Sequence, residues 1–183
     1  KRLAADGFAV VINYANSAGS AEELAETLKS QGHKALAIQA DIARPDAVTA
    51  LFDKTITEFG GVDVIVNNAG VMTTTPIADM DDTTYDAMMD INVRGTFNML
   101  REGAKHLRDH GRVINFSTTA PGPVATELFL NGKTDEQVAN FAKMPPLERL
   151  GEPDDIAGVV SFLAGPDSGW VDGQTIRANG GLA

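Results

Sequence analysis

The 183-residue sequence contains no cysteine, which excludes disulfide bonds, thiolate metal sites and cysteine nucleophiles. Basic side chains are also scarce: 15 lysines and arginines stand against 25 aspartates and glutamates, for a formal net charge of −10. Nucleic acids and anionic membranes are bound through positive surfaces, so neither is expected as a partner. The sequence shows no signal peptide and no apolar run long enough to cross a membrane. We therefore expect a cytoplasmic protein.

The length and composition are those of one folded domain, predicted over residues 1–183. A hydrophobic content of 43% is enough for a sizeable core. Residues 1–7 have the composition of a helix's last turns, with Gly7 as the left-handed cap. The beginning of that helix, and any segment before it, is therefore expected to be missing from the sequence.

Short β-branched runs alternate with amphipathic helices along the chain. Strands are predicted at residues 8–14, 34–39, 62–66, 111–116 and 174–178, and helices at residues 20–31, 45–59, 81–106, 134–143 and 153–163. Strands that alternate with helices form parallel sheets with right-handed crossovers. The predicted fold class is α/β, with a doubly wound parallel sheet of the Rossmann type in three α/β/α layers.

One strand ends in an unusual way. Residues 62–66 form a short apolar run that is typical of a strand buried on both faces, and Asn67, Asn68, Ala69 and Gly70 follow it directly. The two amides can hold neighbouring backbone groups, and the two small residues leave room for a flat ligand to approach the main chain. Ligands of open α/β sheets bind beyond the carboxyl ends of the strands. A plain capped strand end with a tight turn is the alternative.

Residues 66–70, Val-Asn-Asn-Ala-Gly after an aliphatic strand, resemble the short-chain dehydrogenase/reductase family, with a general similarity to its 3-oxoacyl-carrier-protein reductase-like members. Four further stretches resemble family signatures in the family's order: 111–117, which ends at the catalytic serine, the Pro-Gly loop 121–126, the segment 146–157, and the C-terminal signature 170–181. The resemblance implies hydride transfer between a nicotinamide cofactor and a small-molecule carbonyl or alcohol. It also implies one dinucleotide-binding domain with a small substrate lobe around residues 127–150.

The resemblance assigns residues to the cofactor. In the family, an aspartate after the third strand accepts a hydrogen bond from the adenine amino group, and the backbone of the following residue stacks near the adenine. The backbone after the fourth strand borders the adenosine ribose. The Pro-Gly loop brackets the nicotinamide. The residues so implied are Asp41, Ile42, Asn68, Ala69, Gly70, Pro121, Gly122, Val124 and Thr126. Asp41 is equally compatible with a plain turn before Pro45.

The end of the strand 8–14 bears on the choice of cofactor. NAD-preferring folds place an acidic residue here to hold the ribose 2′-hydroxyl, and residues 13–17 contain none. Because a carboxylate would repel a 2′-phosphate, its absence favours NADP over NAD, with Asn13, Tyr14 and Ser17 as hydrogen-bond donors. No lysine or arginine lies in this turn.

For the chemistry, the resemblance implies Asn92, Ser117 and Thr118. Asparagine is a poor helix residue that usually faces solvent, but the family has one here, where the helix is perturbed and a backbone carbonyl holds a water of the proton relay. Ser117 and Thr118 are alternatives for the hydroxyl that orients the substrate carbonyl, and Thr118 has the favoured register. No metal site is expected, since the three histidines make no metal-ligand spacing.

Two parts of the family pattern are absent from the sequence. The glycine-rich turn that holds the pyrophosphate should precede Lys1, and the Tyr-x-x-x-Lys pair that donates the proton should lie between Thr119 and Ala120. Neither of the two tyrosines has a lysine four residues on. We expect the Cα atoms of Thr119 and Ala120 to be clearly farther apart than the about 3.8 Å of a trans peptide. A true deletion would instead favour a non-catalytic dinucleotide-binding sensor or scaffold.

The helix at residues 81–106 is predicted to form a subunit interface. Two helices per subunit usually meet about a two-fold axis in this family, and two-fold symmetry is the common arrangement of soluble oligomers. The apolar positions are too spread around the helix for one core-facing stripe: Met88, Ile91, Phe97, Met99 and Leu100. We expect a homodimer or homotetramer.

Overall fold

The computed structural model describes residues 1–73, 75–117 and 122–182. Within them the chain forms two compact units, Leu3–Asn115 and Phe116–Ala183. Among these residues no helix has the length and apolar character needed to cross a membrane.

Helices and strands alternate through the first unit as predicted. In chain order they are α1 (Arg2–Ala5), β1 (Val10–Tyr14), α2 (Ala18–Ser30), β2 (Ala35–Gln39), α3 (Pro45–Phe59), β3 (Val62–Asn67), a 3₁₀ turn (Ile77–Asp79), α4 (Asp82–Met89), α5 (Thr96–His106) and β4 (Leu107–Asn115). The boundaries follow local chemistry. Pro45 stands in the first turn of α3, and Gly60 ends that helix in the left-handed conformation, with φ of 81°.

The helix predicted over residues 81–106 is present, but its middle is π-helical. Asp81 caps its start by accepting from the Thr84 amide at 2.7 Å. Residues Asp90–Gly95 form a π-helical segment between α4 and α5. π-Helical turns are rare in proteins, and those that do occur are often found at functional sites. The segment contains Asn92, where the resemblance predicted a perturbed helix.

The four strands form two parallel pairs. β1 pairs with β2 in a regular ladder that starts at Val10 and Ala35, and β3 pairs with β4 with an irregularity between Val62 and Val64. Among the described residues no ladder joins the two pairs. Each strand therefore has a hydrogen-bonded neighbour along one edge only in this part of the chain.

The expectation that residues 62–66 are buried on both faces is wrong. Ile65 is 4% exposed, whereas Val64 and Val66 are only half-buried. Helices α3 and α5 pack against β3, and Ile65 lies in the apolar cluster beneath them. A pattern of β-branched residues therefore does not by itself predict full burial.

Three small apolar clusters hold the first unit together. The cluster between α1, α2 and β2 is formed by Ala4, Ala25, Leu28 and Ala35. Two clusters lie against α3; one is formed by Ile42, Val48, Phe52 and Ile65, and the other by Ile38, Ala40 and Leu51. Met99 of α5 packs against both. Each fully buried aliphatic or aromatic side chain contributes roughly 1.5–3 kcal/mol, so α3 anchors both strand pairs.

The second unit contains α6 (Glu127–Leu130), α7 (Asp135–Ala142), α8 (Pro153–Ala164) and a 3₁₀ turn (Pro166–Ser168). Helices α7 and α8 were predicted, and both begin with a capping box, at Thr134 and Glu152 respectively. The capping side chains satisfy amides that the first turn leaves without helical partners.

The strand predicted at residues 174–178 is wrong, because this stretch is irregular. A strand requires a neighbour to complete its hydrogen-bond ladder. In the described part of the second unit the single backbone bridge joins Val124 to Gly151. An alternating apolar pattern without a neighbouring strand does not form a ladder.

Candidate functional site

The turn after β1 offers exposed polar groups and no carboxylate. The Asn13 side chain is already engaged, since its Nδ2 donates to the carbonyl of Ala40 at 2.9 Å and to that of Ile38 at 3.3 Å. It therefore ties β1 to the end of β2. Ser17 is exposed and precedes α2 without a side-chain capping bond, and Tyr14 is half-buried at the end of β1. Of the three predicted donors, the two hydroxyls are the ones left for a ligand.

The turn after β2 is built around Asp41. Its Oδ1 accepts from the Ala43 amide at 3.0 Å, and its carbonyl accepts from the Arg44 amide at 3.0 Å. Asp41 is exposed, whereas the Ile42 side chain is 8% exposed and packs in the cluster with β3. Asp41 thus stabilises the turn before Pro45, which was one of its two predicted roles. The turn holds its carboxylate at the surface.

Beyond β3 the chain turns tightly. The Asn68 amide donates to the Val66 carbonyl at 3.1 Å, and residues 68–70 are exposed. Asn67 ties the strand ends together, since its Nδ2 donates to Oδ1 of Asn115 at 2.8 Å. The backbone at residues 68–70 is therefore open to a ligand at the carboxyl end of β3.

Asn92 closes the loop after β3 onto the π-helical segment. Its Oδ1 accepts from the Val71 amide at 2.9 Å, and its Nδ2 donates to the Val71 carbonyl at 2.8 Å. The Thr96 hydroxyl donates to the Asn92 carbonyl at 3.0 Å. A Cβ added at Gly70 would lie 3.3 Å from Oδ1, so a glycine lets the loop approach this closely. Asn92 is exposed, but both its amide oxygen and its amide nitrogen are hydrogen-bonded to Val71. Its side chain therefore does not simply face solvent.

The candidate catalytic hydroxyls are described in part. Ser117 is exposed and follows the last residue of β4 by two positions. Its alternative Thr118 lies outside the described residues, as do Pro121 and the join between Thr119 and Ala120. The choice between the two hydroxyls and the expected Cα separation at the join stay predictions.

The described part of the Pro-Gly loop lies in the second unit. Gly122 has φ of 63°, and a Cβ there would lie 2.9 Å from the Cβ of Asn179, so this position requires glycine. Val124 is 8% exposed and bridges to Gly151. Thr126 is exposed and caps α6 with its side chain. The loop is held by backbone contacts on one side and by a helix start on the other.

Sequence reasoning missed two buried polar residues of α5. Asn98 is 1% exposed and Glu102 is 3% exposed. Asn98 donates to the backbone of the turn after β2. Lys105, 2.8 Å from Glu102, holds the pKa of that carboxyl below its usual range. The available signal in the sequence was that Asn98 and Glu102 are four residues apart and lie beside core positions of the same helix. Polar side chains buried in this way need hydrogen-bond partners.

An ion pair organises the start of α8. Arg149 donates to the Asp155 carboxylate at 2.6 and 3.0 Å, and the Glu152 amide donates to the same carboxylate at 2.7 Å. These hydrogen bonds lower the pKa of Asp155 to about 2, and the bond from the Arg149 guanidinium has the largest effect. All three residues lie in the segment 146–157, where they hold the turn that leads into the helix.

The chain is similar to known proteins along almost its whole length. A family model described as short chain dehydrogenase matches residues 1–129, and one described as enoyl-(acyl carrier protein) reductase matches residues 118–183. The versicolorin reductase of Emericella nidulans is 34% identical, over 96% of this chain and 86% of its own.

Solved structures show the same fold. A short-chain dehydrogenase/reductase from Serratia marcescens superposes with a TM-score of 0.90 and 31% identity, over 99% of this chain and 90% of its own. A blue fluorescent protein from a metagenomic library, in complex with NADPH, gives a TM-score of 0.90 and 30% identity, over 100% of this chain and 90% of its own. The predicted Rossmann-type α/β fold is confirmed.

The alignment with the Emericella protein is longer than the chain. It spans 227 positions, although the 96% of this 183-residue chain that takes part amounts to about 176 residues. Roughly fifty positions of the alignment therefore have no counterpart residue here. A difference of that size inside the matched region agrees with the absence of a Tyr-x-x-x-Lys pair and its crossover from this sequence.

Proposed function

The chain belongs to the short-chain dehydrogenase family, and we propose that it transfers a hydride between NADP(H) and a carbonyl or alcohol substrate. The main support for this proposal comes from the ends of the strands in the first unit. They present a turn without carboxylates, the fixed surface carboxylate of Asp41, and exposed backbone at residues 68–70. Open α/β sheets bind their ligands beyond such strand ends. The complex of the metagenomic relative with NADPH supports the choice of cofactor.

For the adenosine half, we propose that the free side of the Asp41 carboxylate accepts from the adenine amino group, beside the backbone of Ile42. The backbone of residues 68–70 then borders the ribose. The hydroxyls of Tyr14 and Ser17 donate to the 2′-phosphate. Asn13 contributes through the strand end that it ties in place. These groups fit the ligand because Ser17, Asp41 and residues 68–70 are exposed, Tyr14 is only half-buried, and no carboxylate in the turn after β1 opposes the phosphate.

For the nicotinamide half, we propose the Pro-Gly loop. Its residues Pro121, Gly122 and Val124 supply backbone, and the Thr126 hydroxyl donates to the carboxamide or the pyrophosphate. The left-handed conformation of Gly122, pressed against Asn179, fixes the course of that backbone. A side chain at this position would force the loop away from its neighbour.

The cofactor, when bound, supplies the hydride. We propose that the hydroxyl of Ser117 or Thr118 donates to the substrate carbonyl and so orients it. The carbonyl of Asn92, at the π-helical segment, holds a water that passes protons. The family takes the proton itself from a tyrosine, and neither Tyr14 nor Tyr85 carries the lysine that such a tyrosine needs four residues on. The comparisons, with relatives named as reductases and dehydrogenases, give no support to a non-catalytic sensor or scaffold.

We propose one functional domain over residues 1–183, with the substrate lobe at residues 127–150. This lobe contains α6 and α7, where the rings of Phe129 and Phe141 meet edge to face, with centroids 5.2 Å apart. Lys133 lies 4.5 Å from the centroid of the Phe129 ring. An aromatic surface of this kind suits an apolar or aromatic ketone. Versicolorin, from the name of the Emericella relative, belongs on the first panel of substrates.

We propose that the protein is a cytoplasmic homodimer or homotetramer, formed through one face of the helical run 82–106. We call this face the apolar stripe; its residues are 38–56% exposed and are Tyr85, Met89, Val93, Phe97 and Leu100. They recur every three or four positions, which places them on one side of a helix. Met99, by contrast, packs into the core. A second copy of the chain is the natural partner, because a two-fold axis brings the same stripe against itself.

Titration with NADPH and NADH, followed by the fluorescence of the reduced nicotinamide, tests the cofactor. We expect NADPH to bind at least about tenfold more tightly, a difference of about 1.4 kcal/mol. Tighter binding of NADH would contradict the proposal.

A further inference from the structure

We propose that Asn98, a residue outside every family signature found in the sequence, positions the adenine-binding carboxylate of Asp41. The inference rests on the proposed function, in which Asp41 accepts from the adenine amino group. Asn98 lies on α5 and is 1% exposed. It is therefore a positioning residue, which acts through the turn after β2.

The Asn98 side chain is hydrogen-bonded to the backbone of that turn. Its Nδ2 donates to the carbonyl of Ile42 at 2.8 Å and to the carbonyl of Ala43 at 3.2 Å. Its Oδ1 accepts from Nη2 of Arg101 at 3.2 Å, which orients the amide so that its nitrogen faces the turn. Both donor hydrogens of the amide are thus directed at two consecutive peptide groups.

Those two peptide groups hold Asp41 on their other side. A trans peptide is planar, and its C=O and N–H point in opposite directions. The peptide whose carbonyl Asn98 binds at Ile42 donates its N–H, at Ala43, to the Asp41 carboxylate at 3.0 Å. The next peptide, bound by Asn98 at the Ala43 carbonyl, donates its N–H, at Arg44, to the Asp41 carbonyl at 3.0 Å. The orientation of the Asp41 carboxylate is therefore set from Asn98 through two rigid planes.

A second contact holds the same turn from Gly95, the last residue of the π-helical segment that precedes α5. A Cβ added at Gly95 would lie 2.6 Å from Cδ1 and 2.7 Å from Cγ1 of Ile42. The Ile42 side chain therefore occupies the space that only a glycine leaves open on the helix. Since the Cα of Ile42 begins the first of the two peptide planes, moving Ile42 would rotate that plane and with it the carboxylate of Asp41.

The consequence is selectivity for the base of the cofactor. Adenine presents an amino group that donates to a carboxylate, whereas hypoxanthine presents a carbonyl oxygen that repels it. We expect the wild-type protein to bind NADPH at least about tenfold more tightly than its hypoxanthine analogue, deamino-NADPH. Asn98→Leu, which keeps the volume and removes both donors, should bring the two dissociation constants within about twofold of each other. Gly95→Ala should reduce the ratio in the same direction.

Ser168→Ala is the matched control. Ser168 is 1% exposed in the second unit, and its hydroxyl also serves two backbone carbonyls, those of Leu163 at 2.8 Å and Gly165 at 3.0 Å. Removing this buried donor should lower the melting temperature as Asn98→Leu does, and leave the ratio of the two dissociation constants unchanged. A fall in the ratio for Ser168→Ala would show that general destabilisation causes the effect and would overturn the proposal.

Asp41→Asn separates the inference from the proposed function. If this variant loses the preference for NADPH over deamino-NADPH while Asn98→Leu keeps it, the adenine site stands and the role of Asn98 is overturned. If Asp41→Asn keeps the preference, the proposed adenine site itself is wrong. Loss of the preference in Asp41→Asn and in Asn98→Leu, with Ser168→Ala unchanged, supports the proposal. If Asn98→Leu does not fold, Asn98→Ala, which also removes both donors, is measured in its place.

Discussion

Replacing Phe97 by serine should weaken the proposed association of subunits. Phe97 is 56% exposed within the apolar stripe, and the Arg101 guanidinium lies 5.3 Å from the centroid of its ring. A phenylalanine presents about 200 Å² of surface, so roughly 110 Å² of this residue is open to a partner. At roughly 25 cal/mol per Å², its complete burial would contribute up to about 3 kcal/mol per subunit.

Two-fold symmetry doubles this contribution. The same side chain acts from both subunits, so Phe97→Ser removes up to about 6 kcal/mol of apolar burial. Association retains only part of such an area-based sum, because ordering and desolvation oppose it. We expect the dissociation constant to rise at least about hundredfold, or about 2.7 kcal/mol. The fold should persist, since the substitution removes surface that the single chain leaves exposed.

Sedimentation velocity over a concentration series measures this change. Ile77→Ser is the control, because Ile77 is 89% exposed and lies outside the apolar stripe. Its dissociation constant should equal that of the wild type. A wild-type protein that stays monomeric at micromolar concentration, or equal weakening in both variants, would refute the reasoning.

Ala15→Asp places a carboxylate in the turn after β1 and should weaken NADPH binding about tenfold in a fluorescence titration, with NADH affinity retained; equal losses would place the 2′-phosphate elsewhere. Asn92→Ala removes both hydrogen bonds to Val71 and should lower kcat about 100-fold with little change in NADPH affinity; full kcat would remove Asn92 from the mechanism. The pKa of Asp155 is about 2 beside Arg149, below the unfolded value of about 3.9. Its stabilising contribution is therefore complete above about pH 4 and is lost as the pH falls through about 2. In urea unfolding at several pH values, Asp155→Asn should remove that part of the acid dependence, and an unchanged dependence would contradict the ion pair.

Helix α3 shows what the sequence can predict. A proline at the first position, a stripe of apolar residues with helical spacing and a terminal glycine are local signals, and each acts on the backbone next to it. The helix forms over Pro45–Phe59, with Val48 and Phe52 buried as the stripe requires. The perturbed helix around Asn92 was predictable for another reason, since the resemblance places an asparagine at that turn.

The strand predicted at residues 174–178 shows where local signals fail. Its apolar residues favour an extended chain, but a ladder also requires a neighbouring strand, which local sequence does not reveal. The half-burial of Val64 and Val66 has the same cause, because burial is decided by the elements packed on each face. In both cases the deciding information lies in other parts of the chain.

Asn98 was missed because its partners are backbone carbonyls. The spacing of α5 places it near the core, but nothing in the sequence indicates which turn it binds, more than fifty residues earlier. The turn at Asp41 was identified from its own residues, and its support from α5 became visible only in the fold. Positioning residues of this kind leave little local signal, since their function depends on a long-range contact.

Transfer of deuterium tests the central claim most directly. NADPH labelled with deuterium at the transferable position of the nicotinamide is mixed with the protein and a panel of ketones and aldehydes that includes versicolorin, and the alcohol products are analysed by mass spectrometry. Our account predicts an alcohol that carries one deuterium per molecule, formed in preference to any product from labelled NADH. Tight binding of NADPH with no deuterated alcohol from any member of the panel would contradict it, and would describe a dinucleotide-binding protein without turnover.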